Sequence, residues 1–216
     1  MRSNRDNRFT LLFAALTFIV ALSASSGSAF AQETPTPEVA QPAQAHDFSN
    51  IKIKNFGQMD ERFFRGAQPK EKDYAQLAAL GIKTIIDLRE DPTSYEKTNA
   101  EAVGMRYVNI PMSDKEYPKT EQIDQFISLI KDDTTGKFFV HCAGGRHRTG
   151  VMGAVYRFNN YNWDYEKVYA EMKQYDFYTR WGHGDMKKFV QDYAVSFKQN
   201  QPTSAQVTAA PAAIKK

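Results

Sequence analysis

The sequence predicts an α/β fold with a mostly parallel central sheet and helices on both of its faces. Two observations predict it. Short β-branched or aromatic runs alternate with helix-period stretches through the middle of the chain, and helices alone close it. A glycine-containing turn, Ala143-Gly144-Gly145, also lies between the apolar run Phe138-Phe139-Val140 and the apolar run that begins at Val151. That is the strand–loop–helix order with which parallel sheets build ligand sites at their strand ends.

The first expected element is Ile51–Phe56, where apolar and charged residues alternate with the period of a half-exposed strand. A turn at Gly57 leads to a second short strand, Arg62–Arg65. Arg65-Gly66-Ala67-Gln68-Pro69 then breaks the chain before a helix whose Tyr74, Leu77 and Leu80 share a face and which ends at Gly81. Lys83–Leu88 is rich in β-branched residues and reads as a strand of a covered sheet. Asp87 and Arg89 are expected to form a local ion pair. A helix over Tyr95–Val103 ends at Gly104, and the strand Met105–Ile110 stops at Pro111. Thr120 is the expected N-cap of a helix striped by Ile123, Phe126, Ile127 and Ile130, ending near Gly136. The strand Lys137–His141 enters the glycine turn, and a helix over Thr149–Asn160 leaves it. Asn162 is expected to cap a helix over Trp163–Gln174. Asp185 is expected to cap the last one, which buries Met186, Phe189, Val190, Tyr193 and Phe197.

A chain of 216 residues, 42% hydrophobic and 13% aromatic, supports one ordinary domain with a sizeable core plus tails. Residues 1–31 read as a secretory signal peptide. Arg2, Arg5 and Arg8 precede the apolar run Leu11–Leu22, and Ala29-Phe30-Ala31 supplies a small-residue cleavage pattern. The apolar core is shorter than the ~20 residues of a spanning helix, so stable membrane insertion after cleavage is not expected. The expectation is a periplasmic or secreted protein. Residues 32–47 are Pro/Ala/Gln-rich and read as a disordered linker, residues 48–198 as the folded domain, and residues 199–216 as a disordered tail. The formal charge of +3 includes the three arginines and one aspartate of the leader, which leaves about +1 for the rest. No basic footprint for nucleic acid follows.

The chemistry is concentrated in His141-Cys142-Ala143-Gly144-Gly145-Arg146-His147-Arg148-Thr149-Gly150. Backbone N–H groups of such a turn, with the start of the following helix, can converge on one anion. The planar guanidinium of Arg148 suits two oxygens of a phosphoryl group. The same field lowers the pKa of Cys142 and frees a thiolate nucleophile. Cys142 is the single cysteine, so no intrachain disulfide can silence it. A buried structural cysteine and a persulfide-carrying loop are the competing readings of the same residue.

At these residues the chain resembles the cysteine-dependent protein tyrosine phosphatase superfamily, whose signature is His-Cys, five residues, Arg-Ser/Thr, and in particular its atypical dual-specificity branch. The run Arg65-Gly66-Ala67-Gln68-Pro69 matches a run near the start of that family's domain. The resemblance implies a phosphatase-type three-layer sandwich, and hydrolysis of phosphomonoesters through a cysteinyl-phosphate without metal or cofactor. Cys142 is then the nucleophile, with Ala143, Gly144, Gly145, Arg146, His147 and Arg148 forming the phosphate-binding loop. Thr149 supports the thiolate as leaving group, and His141 orients the loop. The family's general acid is matched by Asp114, 28 positions before Cys142, with Glu116 in reserve. Arg146 and His147 are either extra positive charge for a substrate with several phosphates or a solvated rim. For Trp181 and His183 the expectation is core packing and a surface turn respectively, bordering the pocket being the alternative. The implied partner is a phosphorylated protein or an inositol-type small molecule. A phosphate-binding module without turnover is the competing function.

Overall fold

The computed structural model describes residues 48–201, so the expected leader, the linker and all but the first residues of the expected tail lie outside the described residues. The elements are β1 (Gly57–Gln58), β2 (Phe63–Ala67), α1 (Asp73–Ala79), β3 (Ile82–Arg89), α2 (Glu96–Ala102), β4 (Arg106–Met112), α3 (Thr120–Lys131), β5 (Lys137–Cys142), α4 (His147–Tyr161), α5 (Tyr165–Gln174) and α6 (Gly184–Asn200). They form a five-stranded sheet of order β1-β2-β5-β3-β4, in which only β1 pairs antiparallel.

Two apolar clusters sit on the two faces. One joins Phe138, Val140 and Cys142 of β5 to α3, α4, α5 and α6, as through Phe126, Val155, Met172 and Phe189. The other joins Phe139 of β5 to Tyr74 and Leu77 of α1 and Ala100 of α2. This is the three-layer α/β sandwich expected, and the period of two along β5 makes Cys142 and His141 face different layers. α4 is buried along most of its length, from His147 to Phe158, and starts at the end of the glycine turn.

Several local expectations need correction. Ile51–Phe56 is not a sheet strand: Ile51 and Ile53 are buried and alternate with exposed lysines, but the segment lies outside the ladder and β1 starts at Gly57. Pro111 does not stop β4, because β4 is the edge strand and its register with β3 shifts at that level, so no ladder hydrogen bond needs the missing N–H. The N-cap of α3 is Lys119, whose backbone N–H donates to Gln122 Oε1 (2.8 Å), and Thr120 is the first helical residue. α3 ends at Lys131, and a 3-10 turn, Asp133–Thr135, fills the gap to Gly136. Asn162 ends α4 in the left-handed region (φ 50°), and Asp164 caps α5 by accepting from the Lys167 N–H (2.8 Å). α6 starts one residue before Asp185, with His183 at its N-cap, and runs to Asn200, past the expected domain end.

Candidate active site

The loop from Cys142 to Arg148 is shaped from behind. The carbonyl of Ala143 accepts the Gln68 N–H (3.4 Å), that of Gly144 accepts Asn55 Nδ2 (2.8 Å), and that of Gly145 accepts Arg65 Nη2 (2.8 Å). In a planar trans peptide the C=O and the following N–H point in opposite directions. Three carbonyls held outward therefore turn the N–H groups of Gly144, Gly145 and Arg146 inward. That array is the anion cradle, continued by the start of α4. Gly145 has φ 66°, and a methyl there would lie 2.4 Å from the backbone of Gly66, so the loop and β2 meet at two glycines.

Arg65, only 1% exposed, stacks its guanidinium 3.9 Å from the Tyr175 ring centre, and burial brings its pKa down to about 10. The Arg65–Pro69 run thus has a role that spacing alone did not reveal: Arg65 braces the loop, the Gly66 backbone packs against Gly145, and Gln68 anchors the Ala143 carbonyl. The visible signal was the run itself, next to no chemistry of its own.

Cys142 ends β5 and is buried. Burial opposes ionisation, but the Thr149 hydroxyl, the Arg148 guanidinium and the backbone N–H groups of Thr149 and Arg146 outweigh it and hold the thiol below its ordinary value. Arg148 is braced by its Nη1, which donates to the Met112 carbonyl (3.0 Å) and more weakly to that of Leu88 (3.5 Å). Its Nε is buried without a partner among the described residues, so the fork keeps a donor for an oxyanion.

A pocket of about 160 Å³ opens over the loop, lined among others by Asp114, Cys142, Arg146, Arg148, Tyr178 and His183. Asp114 and Cys142 thus share one cavity, whereas Glu116 lines a different one, with Glu90 and Gln122. The segment carrying Asp114 is docked on α6: Tyr117 packs edge-on against Phe189 (5.2 Å) and its hydroxyl donates to Asp192 (3.1 Å). Of the two rim residues, His147 is not a cation at neutral pH. Burial, then the neighbouring His183, bring its pKa down to about 4, and its ring stacks on His183 with centres 3.6 Å apart. Arg146 leans toward Asp176 (3.8 Å) and the Tyr178 ring.

The structure reverses the expectations for Trp181 and His183. Trp181 is 80% exposed with φ 65°, far from any core, while His183 is buried and lines the pocket. His141 faces away from the pocket, as the strand period requires. Its Nε2 lies 2.6 Å from Glu96 Oε1, off a good hydrogen-bond direction, and its Nδ1 3.8 Å from Asp87 Oδ1. Asp87 does not pair with the Arg89 side chain. It accepts the Arg89 backbone N–H (2.9 Å) and the Tyr107 hydroxyl (2.9 Å), while Arg89 turns to Asp91 and Gln68. Glu96, His141 and Asp87 are grouped closely enough to suggest a metal site, and the imidazole already supplies a counter-charge for one of the two carboxylates.

A family model described as a DSP-PTPase phosphatase fused to NAD+ kinase matches residues 38–192. The dual specificity protein phosphatase TpbA of Pseudomonas aeruginosa (strain UCBPP-PA14) is 28% identical over 159 residues, covering 74% of this chain and 67% of its own length. The inositol diphosphatase DSP4 of Arabidopsis thaliana is 26% identical over 137 residues, 56% of this chain and 63% of that protein. Against the chloroplastic NAD kinase 2 of Arabidopsis thaliana, the chain spans 10% of the relative's length. A crystal structure of a cysteine-to-serine variant of P. aeruginosa TpbA in complex with pTyr shares the fold, with TM-score 0.57 and 22% identity over 73% of this chain and 96% of that one. Among the described residues no helix is long and apolar enough to cross a membrane.

Proposed function

This chain belongs to the DSP-PTPase phosphatase family and is a cysteine-dependent phosphatase, and from that premise we propose that its substrates are aryl phosphomonoesters of the phosphotyrosine kind. The observation that carries the reading is one pocket holding the nucleophile Cys142, the oxyanion fork Arg148 and the carboxylic acid Asp114.

The phosphoryl oxygens sit on the inward N–H groups of Gly144, Gly145 and Arg146, with Arg148 across two of them. The Cys142 thiolate attacks phosphorus in line, the P–O bond to the leaving group breaks, and Asp114 gives the departing oxygen its proton. Water then attacks the cysteinyl-phosphate, its proton returning to Asp114, and the thiolate leaves toward the Thr149 hydroxyl. Tyr178 offers the aromatic wall a phenyl ring needs. A polyphosphate needs surplus cations, and that surplus is small here: His147 is neutral near pH 7 and Arg146 leans on Asp176. The likeness to an inositol diphosphatase keeps inositol polyphosphates as the second reading.

The test is phosphate release by the full chain, without added metal, from a phosphotyrosine peptide, a phosphoserine peptide and an inositol polyphosphate. Release is expected to be fastest from phosphotyrosine and to fall at least about a thousandfold in Cys142→Ser. Preference for the inositol compound would overturn the substrate assignment, and undiminished release by Cys142→Ser the mechanism. Export through residues 1–31 is part of the same proposal. It is checked by locating the protein in cell fractions and reading its N-terminus, expected at Gln32.

A further inference from the structure

His183 was not among the residues expected to serve the chemistry, yet it joins the two halves of the site. Its Nδ1 lies 2.7 Å from the backbone carbonyl of Asp114. A carbonyl only accepts, so Nδ1 carries the proton and the tautomer is fixed. The other side of the ring is fixed too. His183 stacks on His147 of the phosphate loop at 3.6 Å and 15°, and Tyr178 meets both rings edge-on, at 4.4 and 5.5 Å. A second contact joins the same two segments: a methyl on Gly182 (φ 90°) would come 3.5 Å from the Lys115 side chain, so this turn lies directly against the acid-bearing segment. His183 is buried although the exposed Trp181 stands only two residues before it.

We propose that His183 is a positioning residue: it hangs the Asp114 segment from the phosphate loop, so that the acid is held over the leaving-group oxygen while the loop holds the phosphoryl group. The inference rests on Asp114 being the general acid. The chain of contact runs from α4 through His147 and His183 to the Asp114 carbonyl, and each link is a single ring face or one hydrogen bond. Loss of the Nδ1–H donor frees the acid's backbone without touching Cys142 or Arg148.

Asparagine places an amide N–H where the imidazole Nδ1–H stands, and glutamine places one where Nε2 stands. His183→Asn, His183→Gln and His183→Leu in the full chain therefore form a test, read on phenyl phosphate and on a dinitrophenyl phosphate whose leaving group needs no proton. Turnover of the dinitrophenyl ester also reports that the loop is folded. The expected result is a loss of about tenfold to a hundredfold in kcat/KM for phenyl phosphate in the Gln and Leu variants. The dinitrophenyl ester should change little, and His183→Asn should recover most of the loss. Equal losses on both esters in all three variants, or no loss at all, overturn the proposal. Asp114→Asn is run beside them. If it slows phenyl phosphate selectively while the His183 variants do not, only the positioning role fails. If Asp114→Asn shows no such selectivity, the acid assignment fails and carries this proposal with it.

Discussion

Two neighbouring residues of β5 head two polar regions that are built on opposite principles. In front, Cys142 faces a pocket whose donors are turned into the cavity: among the described residues Arg148 is braced by two carbonyls and keeps its Nε, and the loop N–H groups point inward because their carbonyls are tied down behind. Behind, His141 faces a closed group in which charges meet charges: Glu96 and Asp87 flank the imidazole, and Gln68 Nε2 donates to Glu96 (2.7 Å). The difference teaches how the site stays attractive to a dianion. Two buried carboxylates flank His141, one residue from the nucleophile, but the strand period puts them on the other face, where His141 offsets Glu96 and burial raises the pKa of Asp87. In front, the pocket's carboxyl group is Asp114, the proposed general acid.

The comparison is sharpest if each region is broken alone. The largest expected effect on stability is behind. Despite burial, the neighbouring His141 and the Gln68 hydrogen bond hold Glu96 below its ordinary 4.5, and despite burial Glu96 holds His141 above its ordinary 6.5. A lowered acid contributes stability that is lost as pH falls through its depressed value. A raised histidine contributes stability that is present below 6.5 and lost as pH rises through its elevated value. The pair is therefore worth most in mildly acidic solution. Glu96→Gln is expected to cost about 3 kcal/mol near pH 6, since it leaves a buried imidazole without its main counter-charge. It should also shrink the decline in stability above pH 6.5, because burial then opposes the charged ring with only the more distant Asp87 and the Cys142 thiolate left to support it. Urea unfolding in buffers on both sides of pH 6.5 reads both. An unchanged slope would mean that the back region is not an ion pair.

The next effect is in front and should have the opposite signature. Arg148→Lys keeps a charge but loses the planar fork and the brace to Met112. An expected fall of about a hundredfold to a thousandfold in kcat matches the loss of one oxyanion donor. Its urea stability should move far less than that of Glu96→Gln. Steady-state kinetics and unfolding on the same samples decide it: a variant that loses stability but keeps its kcat would erase the distinction between the two regions.

Much of the front was legible because it is contiguous. His141 to Gly150 is one stretch, and its residue types carry their chemistry at any fold. The strand and helix order was legible for a related reason: periodicity is local. The back was not legible, because Glu96, Asp87, Tyr107 and Gln68 come from α2, β3, β4 and the turn after β2, and only the sheet order brings them together. Asp87 and Arg89 are two apart on a strand, a spacing that invites a pairing, yet each found a partner further away. The misread caps at Thr120, Asn162 and Asp185 have a common cause. At Asn162 a second cap-forming residue, Asp164, stands two positions on, while at α3 and α6 the cap falls on Lys119 and His183, residue types that cap preferences do not pick out, because the backbone angle there is set by packing. His183 was misjudged because a glycine-flanked histidine looks like a surface turn until its stack on His147 is seen.

The smallest effect lies on the seam between the two regions. Asn55 sits in the left-handed region (φ 53°), and its Nδ2 holds the Gly144 carbonyl outward. Asn55→Gly keeps that backbone conformation accessible and removes only the amide. The expected stability loss is about 1 kcal/mol, the net worth of one such hydrogen bond. The peptide it releases joins Gly144 to Gly145, so the Gly145 N–H loses the restraint that aims it inward. Inorganic phosphate, as a competitive inhibitor, should therefore bind several-fold more weakly, while the urea slope above pH 6.5 stays as in the wild type, since His141 and Glu96 are untouched. A phosphate inhibition constant that does not move would show that the two remaining braces, Gln68 and Arg65, suffice to aim the cradle.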